Sequence, residues 1–392
     1  MGTMCSFERT VPDAASAFER AKRKTLALAV FVALHLGCAD EASDANEGDA
    51  ASDTSVDVAL DVPPVDSASA ADVATNDTRD SAARCMLTDS GPVVAAADGQ
   101  VIENLHIVAK GAPAIKVDGK KNVVIRNVWI EHQGAAGIAL SKADGVRIED
   151  VAIDHTGAPA SGKNDSAERN NIDCFSSAKI TVRGARLKRG SSGIYLNLCA
   201  NASLAQIEGY DFRGPFPRGQ LVQFNASDDG LLDGFSVVNG HTSWPEDNVN
   251  VYKSVRAVIR NGLIDGNNSP SGVGVIFDGD TGAGLVEDVD ALHMGNGCFS
   301  NYAGADGNTF RRVRCRDNIC TSQDGRGVPS SNALMFAGKP TGAANTKLEQ
   351  AKYFASCNGN LTWPAASFSP LELTKEDFTP RALVRVALCW EP

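Results

Sequence analysis

From about residue 99 onward the apolar positions recur in short β-branched runs separated by polar turns. They read Val123-Val124-Ile125, Val128-Trp129-Ile130 and Gly137-Ile138-Ala139-Leu140. The next round reads Val146-Arg147-Ile148, Val151-Ala152-Ile153 and Asn171-Ile172-Asp173-Cys174. No helical period of 3.6 runs through this stretch. Three strands of a few residues per round, with a period in the twenties, predict a β-solenoid.

Two columns of polar residues support the stacking. One turn position reads Asn127, Asp150, Gly184, Gly209, Gly234, Asn261, Asp288 and Arg312. Asn, Asp and Gly enter the left-handed backbone conformation at least cost, so a tight bend is expected once per coil. The residue before it reads Arg126, Glu149, Arg183, Glu208, Asp233, Arg260, Glu287 and Arg311. Coils stack about 4.8 Å apart, so these charges would form a ladder. Every step joins opposite signs except Glu208 to Asp233.

The inward face of one strand per coil is expected to carry Ile115, Ile138, Ile172, Ile194, Val222, Val249, Val275, Phe299 and Leu334. Two residues on, Val117, Leu140, Cys174, Leu196, Phe224, Val251, Phe277, Asn301 and Phe336 form a second column. About nine coils result. The solenoid with its N-terminal cap is placed at 85–340. Residues 341–392 lose the rhythm, contain a segment at 347–354 that reads as helical, and are expected to cap the open end.

This coil grammar resembles the pectate-lyase-like right-handed parallel β-helix superfamily over roughly residues 99–340. The resemblance implies an all-β solenoid and a polysaccharide groove over the long parallel sheet. Its walls would come from the long loops at 154–170, 209–219, 240–247 and 320–331. The paired aspartates, Gly-His-Gly and Arg-Ile-Lys of polygalacturonases are absent, and so is a pectate-lyase arginine signature.

Composition changes the picture at the N-terminus. Arg20, Lys22, Arg23 and Lys24 precede an apolar run at 25–36 that ends in Leu36-Gly37-Cys38. A run of twelve residues is too short for a membrane span of about 20 and fits a signal. Residues 1–38 therefore read as a bacterial lipoprotein-type signal with Cys38 lipidated. His35 stands where a lipobox usually carries Leu, which leaves plain secretion open. An outer-membrane or cell-surface lipoprotein, or otherwise a secreted protein, is expected, with the lipid as its one link to the membrane.

The segment 39–84 holds 12 acidic and 2 basic residues and no aromatic, so it carries nearly all of the net charge of −11. Such a composition reads as a disordered tether. The body that remains is not basic, which argues against a nucleic-acid partner. Beyond Cys5 and Cys38 the chain has eight cysteines, an even number as in an oxidising compartment. Cys174 with Cys199, one coil apart, and Cys357 with Cys389, in the tail, are the pairs expected.

The outward residues of the middle coils are Asp173, Tyr195, Asn197, Gln223, Asn225, Asn250, Tyr252 and Asp278. The run Trp244-Pro245-Glu246-Asp247-Asn248-Val249-Asn250-Val251-Tyr252-Lys253 is the densest in chemistry. Amides and rings suit sugar hydroxyls and sugar faces. Tyr195, Asn197, Gln223, Asn225, Trp244, Asn248, Asn250 and Tyr252 are the substrate-binding candidates. Hydrolysis needs two carboxyl groups about 5–10 Å apart, which Asp173, Glu246, Asp247 and Asp278 could supply. A lyase needs a base, for which Lys253 or Arg218 qualifies, with calcium (the one cofactor admitted) held by Asp247 and Asp278. A monomer acting on an extracellular polysaccharide, a non-catalytic glycan-binding lipoprotein and a purely structural solenoid are the readings that remain.

Overall fold

The computed structural model describes residues 86–392, apart from 163–167, 215–217, 268–271, 303, 318–334, 338–344, 355–360, 363–367 and 391–392. Side chains of 335–337 are likewise outside the description. The expected lipidated Cys38, the expected tether at 39–84, the loop at 320–331, Leu334 and Cys357 fall outside it.

The chain is a right-handed parallel β-helix, with no α-helix among the described residues. Ten strands, from Val93–Val94 to Met335–Ala337, stack into one parallel sheet. The alternating strands between them build a thirteen-stranded sheet, also parallel in every pairing. The long strands of the larger sheet each bend at a left-handed residue, so the coil has three sides.

The bend is where the sequence pattern predicts it. Residues Asn104, Asn127, Asp150, Gly184, Gln206, Gly234, Asn261, Asp288, Arg312 and Gln350 all have φ between 48° and 71°. One expectation is corrected. In the fourth of the expected coils the bend falls at Gln206, not Gly209, and the residue before it is Ala205, in register with Arg183 and Asp233. The charge ladder therefore reads Glu103, Arg126, Glu149, Arg183, Ala205, Asp233, Arg260, Glu287, Arg311 and Glu349. With Ala205 in place of Glu208 its like-charge step disappears. Arg126 pairs with Glu103 at 2.6 Å, Arg260 with Asp233 at 2.8 Å, and Arg311 with Glu349 at 2.8 Å.

The core is a set of columns. Ile115, Ile138, Ile172, Ile194, Val222, Val249, Val275 and Phe299 follow one another in register and are buried. Met335 continues this column and Ala337 continues the next, so the Leu334 and Phe336 expectation is one residue out. Rings of Phe277 and Phe299 pack on Phe310 at 5.6 and 6.0 Å. Hydroxyls satisfy the turns: Ser227 Oγ accepts from the Cys199 amide at 2.9 Å, and Ser254 Oγ from the Ser227 amide at 2.8 Å.

Cys174 and Cys199 form the expected disulfide, and Cys298 joins Cys315, a pair the sequence reading left unassigned. Cys389 Sγ lies 3.3 Å from Asn127 Oδ1. Residues 347–354 are not helical. They lie in the strand Thr346–Phe354, which pairs with Thr309–Arg311 and Arg314–Arg316. The Lys, Leu, Glu, Gln and Ala there favour a helix locally, but the open sheet edge recruits them.

After the strand Phe368–Lys375 the chain turns back across the outer face of the larger sheet as a strap. Arg381 reaches Asp288 at 2.8 Å, and its amide donates to Asp290 at 2.7 Å. Ser236 Oγ donates to Val384 O at 3.2 Å, and Arg385 pairs with Glu208 at 2.9 Å. The Val386 amide donates to Glu208 at 3.0 Å, and Arg186 donates to Val386 O at 2.6 Å. Glu208, Ser236 and Asp290 point outward from the coil yet are 1%, 2% and 0% exposed. The strap covers them.

Candidate functional site

The register of the ten-stranded sheet places Asp173, Tyr195, Gln223 and Asn250 side by side on its outer face. Asn197, Asn225, Tyr252 and Asp278 line up two residues further on. The loops before these strands interlock beside them. The Gly162 amide donates to Thr242 O at 2.9 Å, Arg213 Nε to Pro159 O at 2.9 Å, and the Trp244 amide to Arg213 O at 3.3 Å. A Cβ on Gly272 would sit 1.2 Å from Glu246 O, so only glycine lets that backbone close against the site.

At one end, Asn170 Nδ2 donates to Asp173 Oδ1 at 2.6 Å. Burial pushes the Asp173 carboxyl above its usual range. At the other, Asn250 Nδ2 donates to Asp247 Oδ2 at 2.8 Å, and the Val273 amide to Asp247 Oδ1 at 3.0 Å. The two pairs occupy equivalent places in their coils, with amide and acid exchanged. Three strand steps separate them, about 14 Å. Asp173 therefore does not join the Asp247 and Asp278 group.

Arg218 lies between the two ends. Its guanidinium stacks 4.3 Å from the centre of the Tyr195 ring and pairs with Glu168 at 2.8 Å. Its Nη1 lies 3.4 Å from Gln223 Oε1. Asn225 Nδ2 donates to the Tyr195 hydroxyl at 2.9 Å. Glu168 and Asn170 escaped the sequence reading. The signal was there: Glu168-Arg169-Asn170-Asn171 precedes its strand just as 246–250 precedes the next polar cluster.

Glu246, Asp247 and Asp278 form the carboxylate cluster. All three carboxyls titrate above their usual range. For Glu246 the causes are burial, then the charges of Asp247 and Asp278, with Arg218 opposing. For Asp247 burial dominates, opposed by its bonds from Asn250 and Val273, with Asp278 adding to the rise. For Asp278 burial outweighs the bond from the Gly279 amide. Asp247 is 2% exposed, whereas Glu246 and Asp278 are half-buried and reachable.

The other candidates are placed as follows. Trp244 is half-buried in its loop. Lys253 Nζ lies 5.2 Å from the centre of the Tyr252 ring. Asn248 is turned into the interior: its Oδ1 accepts from Asn239 at 2.6 Å, its Nδ2 donates to Gly266 O at 3.4 Å, and it is wholly buried. It precedes the strand, where the alternation of the pleat does not yet apply, so it cannot touch a ligand in the groove. The calcium expectation does not fit either. Both oxygens of Asp247 are engaged, and no group of three or more acidic, His or Cys residues among the described residues is arranged to hold a metal ion.

Against known proteins, a family model described as "right handed beta helix region" matches residues 73–216. No curated protein matches the sequence. The chain is similar to a PL6 alginate lyase solved with a trisaccharide, at 11% identity and a TM-score of 0.44, over 68% of this chain and 60% of that one. A surface adhesin of Streptococcus pneumoniae matches at 11% identity and a TM-score of 0.44, over 74% and 73%. A hyperthermoactive exopolygalacturonase from Thermotoga maritima matches at 10% identity and a TM-score of 0.43, over 71% and 91%. The chain thus spans about three fifths of the length of the lyase.

Proposed function

We propose that this chain is an exported, surface-anchored glycan-processing protein that binds an extracellular polysaccharide along the ten-stranded sheet and hydrolyses it. The observation that carries the reading is the pair of half-buried carboxyls of Glu246, in a loop that walls the groove, and Asp278, on its sheet floor, with the Asp278 charge raising Glu246. Two such groups cannot both ionise cheaply, so they divide acid and base roles between them. Burial and two neighbouring charges raise Glu246, while Asp278 is raised mainly by burial. Glu246 therefore keeps the proton and gives it to the glycosidic oxygen as the bond to the anomeric carbon breaks, while Asp278, across the bond, takes a proton from the water whose oxygen bonds to that carbon. Asp247, locked by Asn250 and Val273, supplies the field that holds the Glu246 proton in place.

Tyr195, Gln223, Asn225 and Tyr252 supply ring faces and amides to neighbouring sugar units, with Arg218 positioning Tyr195 and Gln223. Export is supported by the lipobox-like Leu36-Gly37-Cys38 and by the two disulfides, which persist in oxidising compartments.

The test is a screen of the full chain against neutral and uronate-containing polysaccharides, reading reducing ends and ultraviolet absorbance together. Reducing ends without new absorbance are expected. Unsaturated, absorbing products would replace hydrolysis with elimination, for which Lys253 would be the first base to examine. Glycan binding with neither product would make the groove a binding site only.

A further inference from the structure

The outer face of the other sheet carries a cavity that the groove does not explain. In its outward column the side chains run Trp129, Ala152, Arg186. The small Ala152 leaves a gap between an indole and a guanidinium. Their strands are two steps apart, about 10 Å. That spacing leaves room for one six-membered ring over Ala152 in contact with the indole, since carbon atoms pack at about 3.5–4 Å. The cavity measures about 340 Å³, within the range of small-ligand sites. Trp390, from the end of the strap, completes its wall.

The walls are rigid. His106 stacks on Trp129 with ring centres 4.2 Å apart, and is itself clamped by Asp89 at 2.8 Å and Glu131 at 3.1 Å. Arg186 is fixed by Glu208 at 3.1 Å and by Val386 O. Asp154 is held by both arms of Arg189, at 2.8 and 2.7 Å. Lys188, on the next column, lies 5.8 Å from the centre of the Tyr210 ring. Among the described residues it has no carboxylate within ion-pair distance. A second cavity of about 600 Å³ shares Asp154, Arg186 and Lys188 and runs on to Arg385.

We propose that this cavity is a second carbohydrate site, distinct from the groove, which takes an acidic sugar: the ring stacks on Trp129 beneath Trp390, and its carboxylate meets Lys188. The indole supplies the apolar face that pyranoses prefer. The adjoining cavity leaves room for the next unit of an oligomer. The site does not depend on catalysis in the groove.

Isothermal titration of the full chain with a short oligouronate, and with the same oligomer after reduction of its carboxylates to alcohols, tests this. Saturable binding of the acidic form, weakened about tenfold by reduction or by Lys188→Gln, is expected. Ala152→Leu fills the gap without altering a ring or a charge and should abolish the binding, while Glu246→Gln in the groove leaves it intact. Thermal unfolding of Ala152→Leu verifies that the coil stack is preserved. If Ala152→Leu binds as well as the parent, or if Glu246→Gln alone removes the binding, the cavity is not the site. Equal affinity for the reduced oligomer would overturn the acidic specificity.

Discussion

Two groups of carboxylates sit on the two outer faces of the same β-helix, and their electrostatics run in opposite directions. In the groove, Glu246, Asp247 and Asp278 crowd one another and titrate high. Under the strap, Glu208 titrates low: burial alone would raise it, but bonds from Tyr210, Val386 N, Arg186 and Arg385 outweigh that. Asp288 titrates low chiefly because Arg312 bonds to it. The residue types are the same. What differs is whether arginines arrive with each carboxylate. A carboxylate met by arginines fastens two segments together, whereas one buried without such a pair, with other carboxylates nearby, holds a proton that it can give away.

The contrast can be broken in order of expected size. Glu246→Gln should lower glycan cleavage by about 100-fold or more, the usual loss on removing a general acid, without any loss of thermal stability. A variant that retains activity would take Glu246 out of the chemistry. Glu208→Ala removes the partner of Arg186 and Arg385 and should cost about 2–3 kcal/mol in urea unfolding, at the low end for a buried pair because Arg385 is largely solvated. It should leave groove activity unchanged. Proteolysis near residue 380 should become faster as the strap detaches.

The pH dependence separates the faces by sign. A carboxyl raised in the folded state stabilises it below the ordinary carboxylate range and loses that contribution as pH rises through the raised value. Melting temperatures of Glu246→Gln should therefore fall less than those of the parent on the alkaline side. For Glu208 the contribution is present above the ordinary range and lost as pH falls through the lowered value. Glu208→Ala should flatten the acid side instead. The smallest effect belongs to Ala205. It lies between Arg183 and Asp233 in the ladder, so either charge there would face one opposite and one like neighbour. Ala205→Glu and Ala205→Lys should each shift stability by less than about 0.5 kcal/mol.

The columns of the β-helix were legible because each coil repeats the same demand on the same position. Ile138 and Ile172 differ in nothing the stack can detect. Legibility failed where a coil met the demand with an unusual residue. Gln206 takes the left-handed bend, and the nearby Gly209 drew the assignment three residues away. The outward columns from Asp173 to Asp278 could be read from pleat alternation alone. Asn248 could not, because it stands at a corner, where alternation gives way to turn geometry. The strap has no period at all. Its place is set by pairings such as Arg385 with Glu208, 177 residues apart, and no local pattern announces a contact of that kind.

The strap has a further consequence for how the molecule assembles. A solenoid held only by contacts between adjacent coils can fray from either end, and its stability is nearly a sum of local terms. Here residues 381–389 touch strands from Leu285–Met294 back to Val124–Gln133, with Cys389 against Asn127 across 262 positions. Opening the middle of the stack means releasing that segment first, so unfolding should be more nearly all-or-none than in an unstrapped array. These residues also follow every coil they cover. The coils can stack as they emerge, but the larger sheet keeps its polar face uncovered until the strap has emerged after them.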